Sequence, residues 1–441
     1  MQGSDSALDP SASSTASSTV SSTASAASAV DAMDIEEAVK RLDDVAVRTP
    51  LQRNPRLSER TGAEVWLKRE DLQIGRSYKL RGAYNLIAQL DEPAKKAGVI
   101  CASAGNHGQG LAYSCHTLDV HGRVFVPRTT PRQKKDRIKA LGGSQIEVIV
   151  TGDTYDDAAA AASAEAASTG ATMVPAFDDP RTVAGQGTLA VELVDQLGGP
   201  PDVLVVPVGG GGLIAGVATW MAERHPGVRI VGVEPAGAAS MTAALQAGEP
   251  VTLEQLDSFV DGAAVRRVGD VPLPLVAAAG VEMVTVPEGL VCSEMLALYQ
   301  TDGLIAEPAG ALAAAALGNG VDVKPGETVV CLLSGGNNDV SRYGEILERS
   351  LIHEGLKHYF LVTFPQEPGA LRQFLDDVLG PDDDITLFEY VKRNNRETGV
   401  ALVGIEIGRP ADLAVLLERM DAAPLKIERI EPGSSEFRYL V

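Results

Sequence analysis

The chain has 441 residues, which exceeds the usual size of one domain and leaves room for two or three units with cores of their own. Its 38 Lys and Arg stand against 59 Asp and Glu, and the net charge of -21 argues against nucleic acid or an anionic membrane surface as a partner. No apolar run approaches the roughly 20 residues that span a bilayer, so the expected ligand is a small molecule met in solution.

In chain order, the first segment is a Ser, Ala and Thr-rich stretch from Ser4 to Val30. No Lys or Arg precedes Lys40, and no continuous apolar core is present, so neither a secretory signal nor a mitochondrial presequence fits. Residues 1–32 are expected to form a disordered tail, too poor in large apolar groups to offset the entropy of ordering. From about Met33 to Ser350, short apolar runs alternate with amphipathic stretches, the pattern of helices packed on both faces of a mainly parallel sheet. The fold class is α/β. Strands are predicted at Val99 to Ser103, Arg123 to Pro127, Val203 to Val208, Arg229 to Val233, Glu282 to Val286 and Thr328 to Leu333. Three of them run straight into a loop rich in glycine or small residues and then a helix. Ligands bind outside the carboxyl ends of parallel strands, so these three loops are expected to meet at one site. Cys101, Cys115, Cys292 and Cys331 lie far apart, without metal-ligand spacing or a disulfide-dense pattern, which fits a reducing cytoplasm.

Four short segments carry chemistry. Ser77-Tyr78-Lys79-Leu80-Arg81-Gly82 opens a predicted helix, with Ser77 as its expected N-cap. The positive end of a helix disfavours an ammonium, which suits a lysine that must be neutral to attack an aldehyde; a surface lysine lying along its helix is the plain alternative. Ser103, Ala104, Gly105, Asn106 and His107 lie between a strand and a helix, where backbone N–H groups can bind a carboxylate. The competing reading is an ordinary turn capped by Asn106, and His107 by itself has no assigned chemistry. Gly209, Gly210, Gly211, Gly212 and Leu213 follow a buried strand and can fold closely around a phosphate. Gly210, Gly212 and Ala215 also satisfy the relaxed dinucleotide pattern, with Glu234 where a ribose-binding acid would sit, so an NAD-dependent oxidoreductase stands as the alternative. Finally, Ser334 ends a strand within Leu333-Ser334-Gly335-Gly336-Asn337-Asn338 and could hydrogen-bond a ring nitrogen; a glycine turn explains the same residues.

After Ser350 the texture changes. Strand and helix alternate as His358 to Pro365, Gly369 to Leu379, Ile385 to Arg393, Gly399 to Ile407, Ala411 to Met420 and Leu425 to Ile430, in the order of a small α+β sandwich. The expected division is a catalytic unit over 33–351, a second unit over 356–431 and a short tail over 432–441.

In these segments, and in this order, the chain resembles the fold-type II pyridoxal-phosphate enzymes, and among them the biosynthetic threonine dehydratases. The resemblance covers nearly everything from Met33 onward. It implies two open, mainly parallel α/β subdomains followed by one ACT-like regulatory domain, with Glu367-Pro368-Gly369-Ala370-Leu371 in that domain's strand-to-helix position. The implied activity is that of a lyase, threonine ammonia-lyase, which converts L-threonine to 2-oxobutanoate and ammonia at the start of isoleucine biosynthesis. A catabolic enzyme acting on L-serine as well as threonine is the neighbouring possibility. The implied cofactor is pyridoxal 5'-phosphate, bound covalently at Lys79. Asn106 is implied to contact its ring hydroxyl, Gly209 to Leu213 its phosphate and Ser334 its pyridine nitrogen; the loop from Ser103 to His107 receives the substrate carboxylate. Isoleucine as inhibitor, valine as its antagonist, and a cytoplasmic homotetramer are implied in the same way. Two departures narrow the chemistry. Related serine racemases carry a serine where this chain has Ala104, so racemisation is not expected. Those relatives also bind a divalent metal near the position of Glu234, but an expected acidic ligand is replaced by Ser240, and no metal is expected there.

Overall fold

The computed structural model describes residues 30–391, 396–435, 437 and 440. Residues 1–29 of the expected tail fall outside the described residues, as do Arg393 at the end of one expected strand and part of the segment after 431; the expected end of the tail at residue 32 is too late, since Val30 and Ala32 are buried in the core and Ala32 opens a helix capped by Asp31.

In chain order the strands of the larger part are β1 (Leu51–Arg53), β2 (Glu64–Arg69), β3 (Val99–Ala102), β4 (Gly122–Val126), β5 (Ile146–Val150), β6 (Thr172–Met173), β7 (Val203–Pro207), β8 (Arg229–Pro235), β9 (Glu282–Val286) and β10 (Thr328–Leu333). They form two sheets. The larger has the order β1-β2-β10-β7-β8-β9, parallel except for β1 at its edge, and the smaller has the order β5-β4-β3-β6, parallel throughout. The strands of the large sheet read as unbroken apolar runs because both faces are covered. Val203 and Val205 join one core with Val329, Cys331 and Leu333, while Leu204 and Val206 join the opposite core with Val330 and Leu332. In the small sheet Val99, Cys101 and Val124 face one core and Ile100 and Phe125 the other. All four cysteines are free thiols, fully buried in these cores.

Helix Lys79–Ala88 links the two sheets and packs on helices Asn106–Leu118 and Pro180–Leu197. The crossing is close because a Cβ on Gly82 would lie 2.3 Å from Gln186 Nε2, and one on Gly185 would lie 2.5 Å from the Arg81 carbonyl oxygen. Beneath this helix lies a buried ionic network. Arg81 donates to Glu70 at 2.9 and 3.0 Å and to Glu192 at 2.8 Å, while Lys68 pairs with Glu192 and donates to the Thr49 carbonyl at 2.6 Å. Lys68, Glu70 and Arg81 are all out of solvent, so each charge depends on its partners.

The last part holds β11 (Lys357–Pro365), β12 (Asp384–Tyr390), β13 (Thr398–Glu406) and β14 (Lys426–Ile430) in an antiparallel sheet of order β12-β13-β11-β14. Helices Ala370–Val378 and Asp412–Ala422 bury Phe374, Val378, Leu416 and Met420 against Phe360, Val362, Val403 and Ile405. Alternation along β11 and β13 is thus one-sided. Helix Tyr343–His353 joins the two parts. Its Glu348 accepts from Lys357 and from the Tyr359 hydroxyl on β11, and its Arg349 lies 4.3 Å over the ring of Phe259 in the larger part.

Candidate active site

The loops after β3, β7 and β10 meet at one cavity of about 840 Å³, lined by Ser103, Ala104, Gly105, Asn106 and His107 on one side and by Gly209 to Leu213 on the other. A recess of about 20 Å³ shares Tyr78, Lys79, Asn106, Gly209 and Glu307 with it and adds Ser334. Charge here runs against that of the whole chain. Arg76, Lys79, Lys134, Arg137, Arg266 and Arg267 line the cavity against Asp156, Asp261, Glu307 and Asp339, a balance that attracts an anionic ligand.

Lys79 is the first residue of its helix, and its Nζ donates to the Ala176 carbonyl at 3.3 Å. The expected cap at Ser77 is not formed. Tyr78 occupies the capping position in helical conformation, and Ser77 instead bridges to Gly335, its hydroxyl buried without a partner among the described residues. Pairing of this loop with the segment after β10 has displaced the local cap, and it draws Lys79 and Ser334 to one recess. Ser334 is buried, with its hydroxyl 3.4 Å from the Ala309 carbonyl.

Asn106 does not cap its helix; Gly105 holds that position. Its amide is engaged on both sides, donating to Glu307 Oε1 at 2.6 Å and accepting from Asn337 Nδ2 at 2.6 Å. The side chain of His107 turns into the core, where Nε2 lies 2.7 Å from the Val174 carbonyl oxygen. Burial pushes this imidazole down to about 4, so it is neutral at physiological pH. Ala104 packs on the core of the small sheet.

The glycine loop enters helix Gly212–Arg224, two residues earlier than the apolar run starting at Ile214 suggests. Gly211 takes φ +95°, a conformation in which a side chain is strained. A Cβ on Gly210 would meet the ring of Phe177 at 2.3 Å. The N–H groups of Gly211, Gly212 and Leu213 find no acceptor among the described residues, as at the first turn of any helix, and such groups can bind an anion.

Glu307 is the residue that sequence patterns missed. It precedes Pro308 at the start of a helix and reads as a plain capping position, yet its side chain makes no cap and is only 5% exposed. Burial, reinforced by nearby Asp261, pushes its carboxyl up to about 7 against the opposing hydrogen bonds from Asn106 and Asn337. The signal was long-range, since Asn106 lies 201 positions away.

Glu234 tests the dinucleotide alternative. Its carboxylate is fully buried and accepts from Met241 N at 2.6 Å, Thr242 N at 2.9 Å and the Thr242 hydroxyl at 2.7 Å. Nothing remains to receive a ribose, and burial holds its carboxyl above the usual range. Ser240 starts the adjoining helix, also buried.

Residues 42–335 match the family model described as pyridoxal-phosphate dependent enzyme. Fold and family thus define the class, an α/β enzyme that works through pyridoxal phosphate. Residues 348–440 match the C-terminal regulatory domain of threonine dehydratase. The biosynthetic L-threonine dehydratase of Mycobacterium tuberculosis is 64% identical over 415 residues, covering 94% of this chain and 96% of that one. That of Bacillus subtilis is 48% identical over 414 residues, covering 94% and 98%. The processed form of threonine deaminase isoform 2 from Solanum lycopersicum superposes with a TM-score of 0.69 at 38% identity, covering 72% of this chain and 93% of that one. The chain belongs to the threonine dehydratase family. The oxidoreductase alternative is thereby set aside.

The donor set fits the family's cofactor. An amine, an amide and a hydroxyl surround the recess, and unfilled N–H groups at a helix start lie beside it in a cavity with an excess of basic side chains. Among the described residues no cluster of potential metal ligands is present, and no helix is long and apolar enough to cross a membrane.

Proposed function

We propose that this chain converts L-threonine to 2-oxobutanoate and ammonia, with residues 33–351 as the catalytic unit and 356–431 as the regulatory one. The observation that carries the reading is the convergence of Lys79, Asn106 and Ser334 on one recess beside the unfilled N–H groups of the glycine loop.

Bound pyridoxal phosphate supplies an electron sink that makes the substrate's Cα proton acidic. Lys79 would hold the cofactor covalently, and its side-chain amine would act as general base toward that proton. Asn106 meets the ring oxygen, and Gly209 to Leu213 hold the phosphate by their N–H groups. Ser334 would be an uncharged partner for the ring nitrogen, and would not hold it protonated as a carboxylate would. The loop Ser103 to His107 binds the substrate carboxylate through its backbone, with the His107 ring as core packing. Ala104 supplies no hydroxyl for reprotonation on the opposite face, which favours elimination over racemisation. The regulatory unit binds isoleucine as inhibitor with valine opposing it, in a cytoplasmic homotetramer.

The test is the visible spectrum of the purified protein before and after L-threonine, followed by a keto-acid assay. The expected result is a yellow protein whose band shifts with threonine while 2-oxobutanoate appears, and a Lys79→Ala variant lacking both band and turnover. A colourless wild-type protein that produces no keto acid overturns the reading.

A further inference from the structure

We propose that Glu307 is a positioning residue that, together with Asn337, holds the orientation of the Asn106 amide, so that Asn106 offers an N–H, rather than a carbonyl, to the ring oxygen of the cofactor. The inference rests on the placement of the pyridoxal ring in the recess given above.

An amide side chain can present nitrogen or oxygen to a neighbour, and its partners decide which. Here a short chain of amides is anchored at both ends. At one end the Gly75 carbonyl can only accept, so the group 2.8 Å away must be the Asn337 amino group. The same amino group lies 2.6 Å from Asn106, which must therefore turn its oxygen toward it. At the other end an ionised Glu307 can only accept, and the Asn106 amino group 2.6 Å from its Oε1 is the donor. Both anchors demand the same orientation. One N–H of Asn106 remains for the recess, and an oxygen that meets it must be an acceptor.

The carboxylate is seated for this contact. A Cβ on Gly335 would lie 2.3 Å from Glu307 Oε1, and Glu307 N donates to the Gly335 carbonyl at 3.1 Å, so the glycine next to Ser334 leaves room for the acid. The charged groups around it are Asp261 and Lys134, which pair at 3.3 Å, Arg342, 3.6 Å from Asp261, and Lys79, which lines the same recess. Burial and Asp261 bring the proton equilibrium of Glu307 to about 7, so protonation weakens one anchor as pH falls through neutrality. The Asn106 amide is then held by Asn337 alone and is fixed less firmly as a donor to the ring oxygen.

The experiment compares the cofactor spectra of wild-type, Glu307→Gln and Glu307→Leu holoenzymes as pH is scanned through neutrality, with kcat and KM for threonine measured alongside. Glutamine keeps an acceptor oxygen without the titration. Its spectrum is expected to match that of the wild type above neutrality and to lose the pH dependence. Leucine removes the acceptor, and the longer-wavelength band is expected to give way to the shorter-wavelength form, with kcat down about tenfold or more and KM little changed. A Glu307→Leu spectrum identical to wild type at every pH overturns the proposal, as does a Glu307→Gln variant that behaves like Glu307→Leu. If the leucine variant does not fold, Glu307→Met, unbranched and close to glutamate in length, removes the acceptor with less disturbance of the packing. The same band shift is expected, and an unchanged spectrum overturns the proposal. A wild-type protein that takes up no pyridoxal phosphate overturns the underlying placement of the cofactor, whereas bound cofactor with an insensitive spectrum overturns only the role of Glu307.

Discussion

Gly210 sits against Phe177, and the 2.3 Å that an added Cβ would leave is far below van der Waals contact. A Gly210→Val variant must move either the ring or the loop, and the loop is the part that forms the proposed phosphate cradle. Cofactor affinity is expected to fall by at least about 1.4 kcal/mol, tenfold in Kd, by spectroscopic titration. The helix start at Lys79 was legible as a local pattern, but the motif alone fits a surface lysine equally, and its role with the cofactor came only from the order of all four segments. Glu307 was not legible, because its partners come from residues 106 and 337 and only the folded chain brings them together. A second consequence of Glu307 concerns stability. Its carboxyl binds a proton more tightly in the folded than in the unfolded chain, so its contribution is fully present below about 4.5 and is lost as pH rises through about 7. Relative to Glu307→Gln, the cofactor-free wild-type protein is expected to lose up to about 3 kcal/mol across that window, measured by denaturant titration at each pH.

At the level of elements, helix Lys79–Ala88 is held in place from below. Arg81 is shared by Glu70 and Glu192, and Lys68 completes the group, so the turn that presents Lys79 stands on four charges with little or no solvent around them. An Arg81→Met change leaves Glu70 buried without its main partner. It is expected to destabilise the protein by about 3 to 5 kcal/mol in chemical denaturation. This network also explains why β2 escaped the apolar pattern. Its sequence Glu-Val-Trp-Leu-Lys-Arg looks like a surface segment, yet Lys68 and Arg69 are buried through their partners. The strands β7 and β10 could be seen directly because both faces meet aliphatic cores, whereas β6, two residues long, left no pattern to read. Ser77 shows the limit of local rules, since its pairing with Gly335 outweighed the cap its sequence offered.

Across the whole molecule, helix Tyr343–His353 touches both parts. Glu348 engages the first residues of β11, and the neighbouring Arg349 lies over Phe259, in a segment whose Leu256, Ser258 and Asp261 line the cavity. On the proposed reading, an effector bound to the last sheet reaches the cavity through Tyr343–His353. A chain ending at Glu354 is expected to keep threonine turnover and to lose isoleucine inhibition, with no isoleucine heat in calorimetry; equal binding by both forms would place the effector elsewhere.

The four thiols offer a way to watch that route. Cys101 and Cys115 lie in the core of the small sheet, Cys292 and Cys331 in that of the large one, and the sequence after Cys331 contains none. Burial pushes Cys115 and Cys292 up to about 12 and the other two higher still, so alkylation must await opening of the surrounding core. Labelling followed by peptide mapping therefore clocks the breathing of each sheet separately and is blind to the regulatory part. Any change that isoleucine makes in those clocks has travelled out of the domain that carries no thiol.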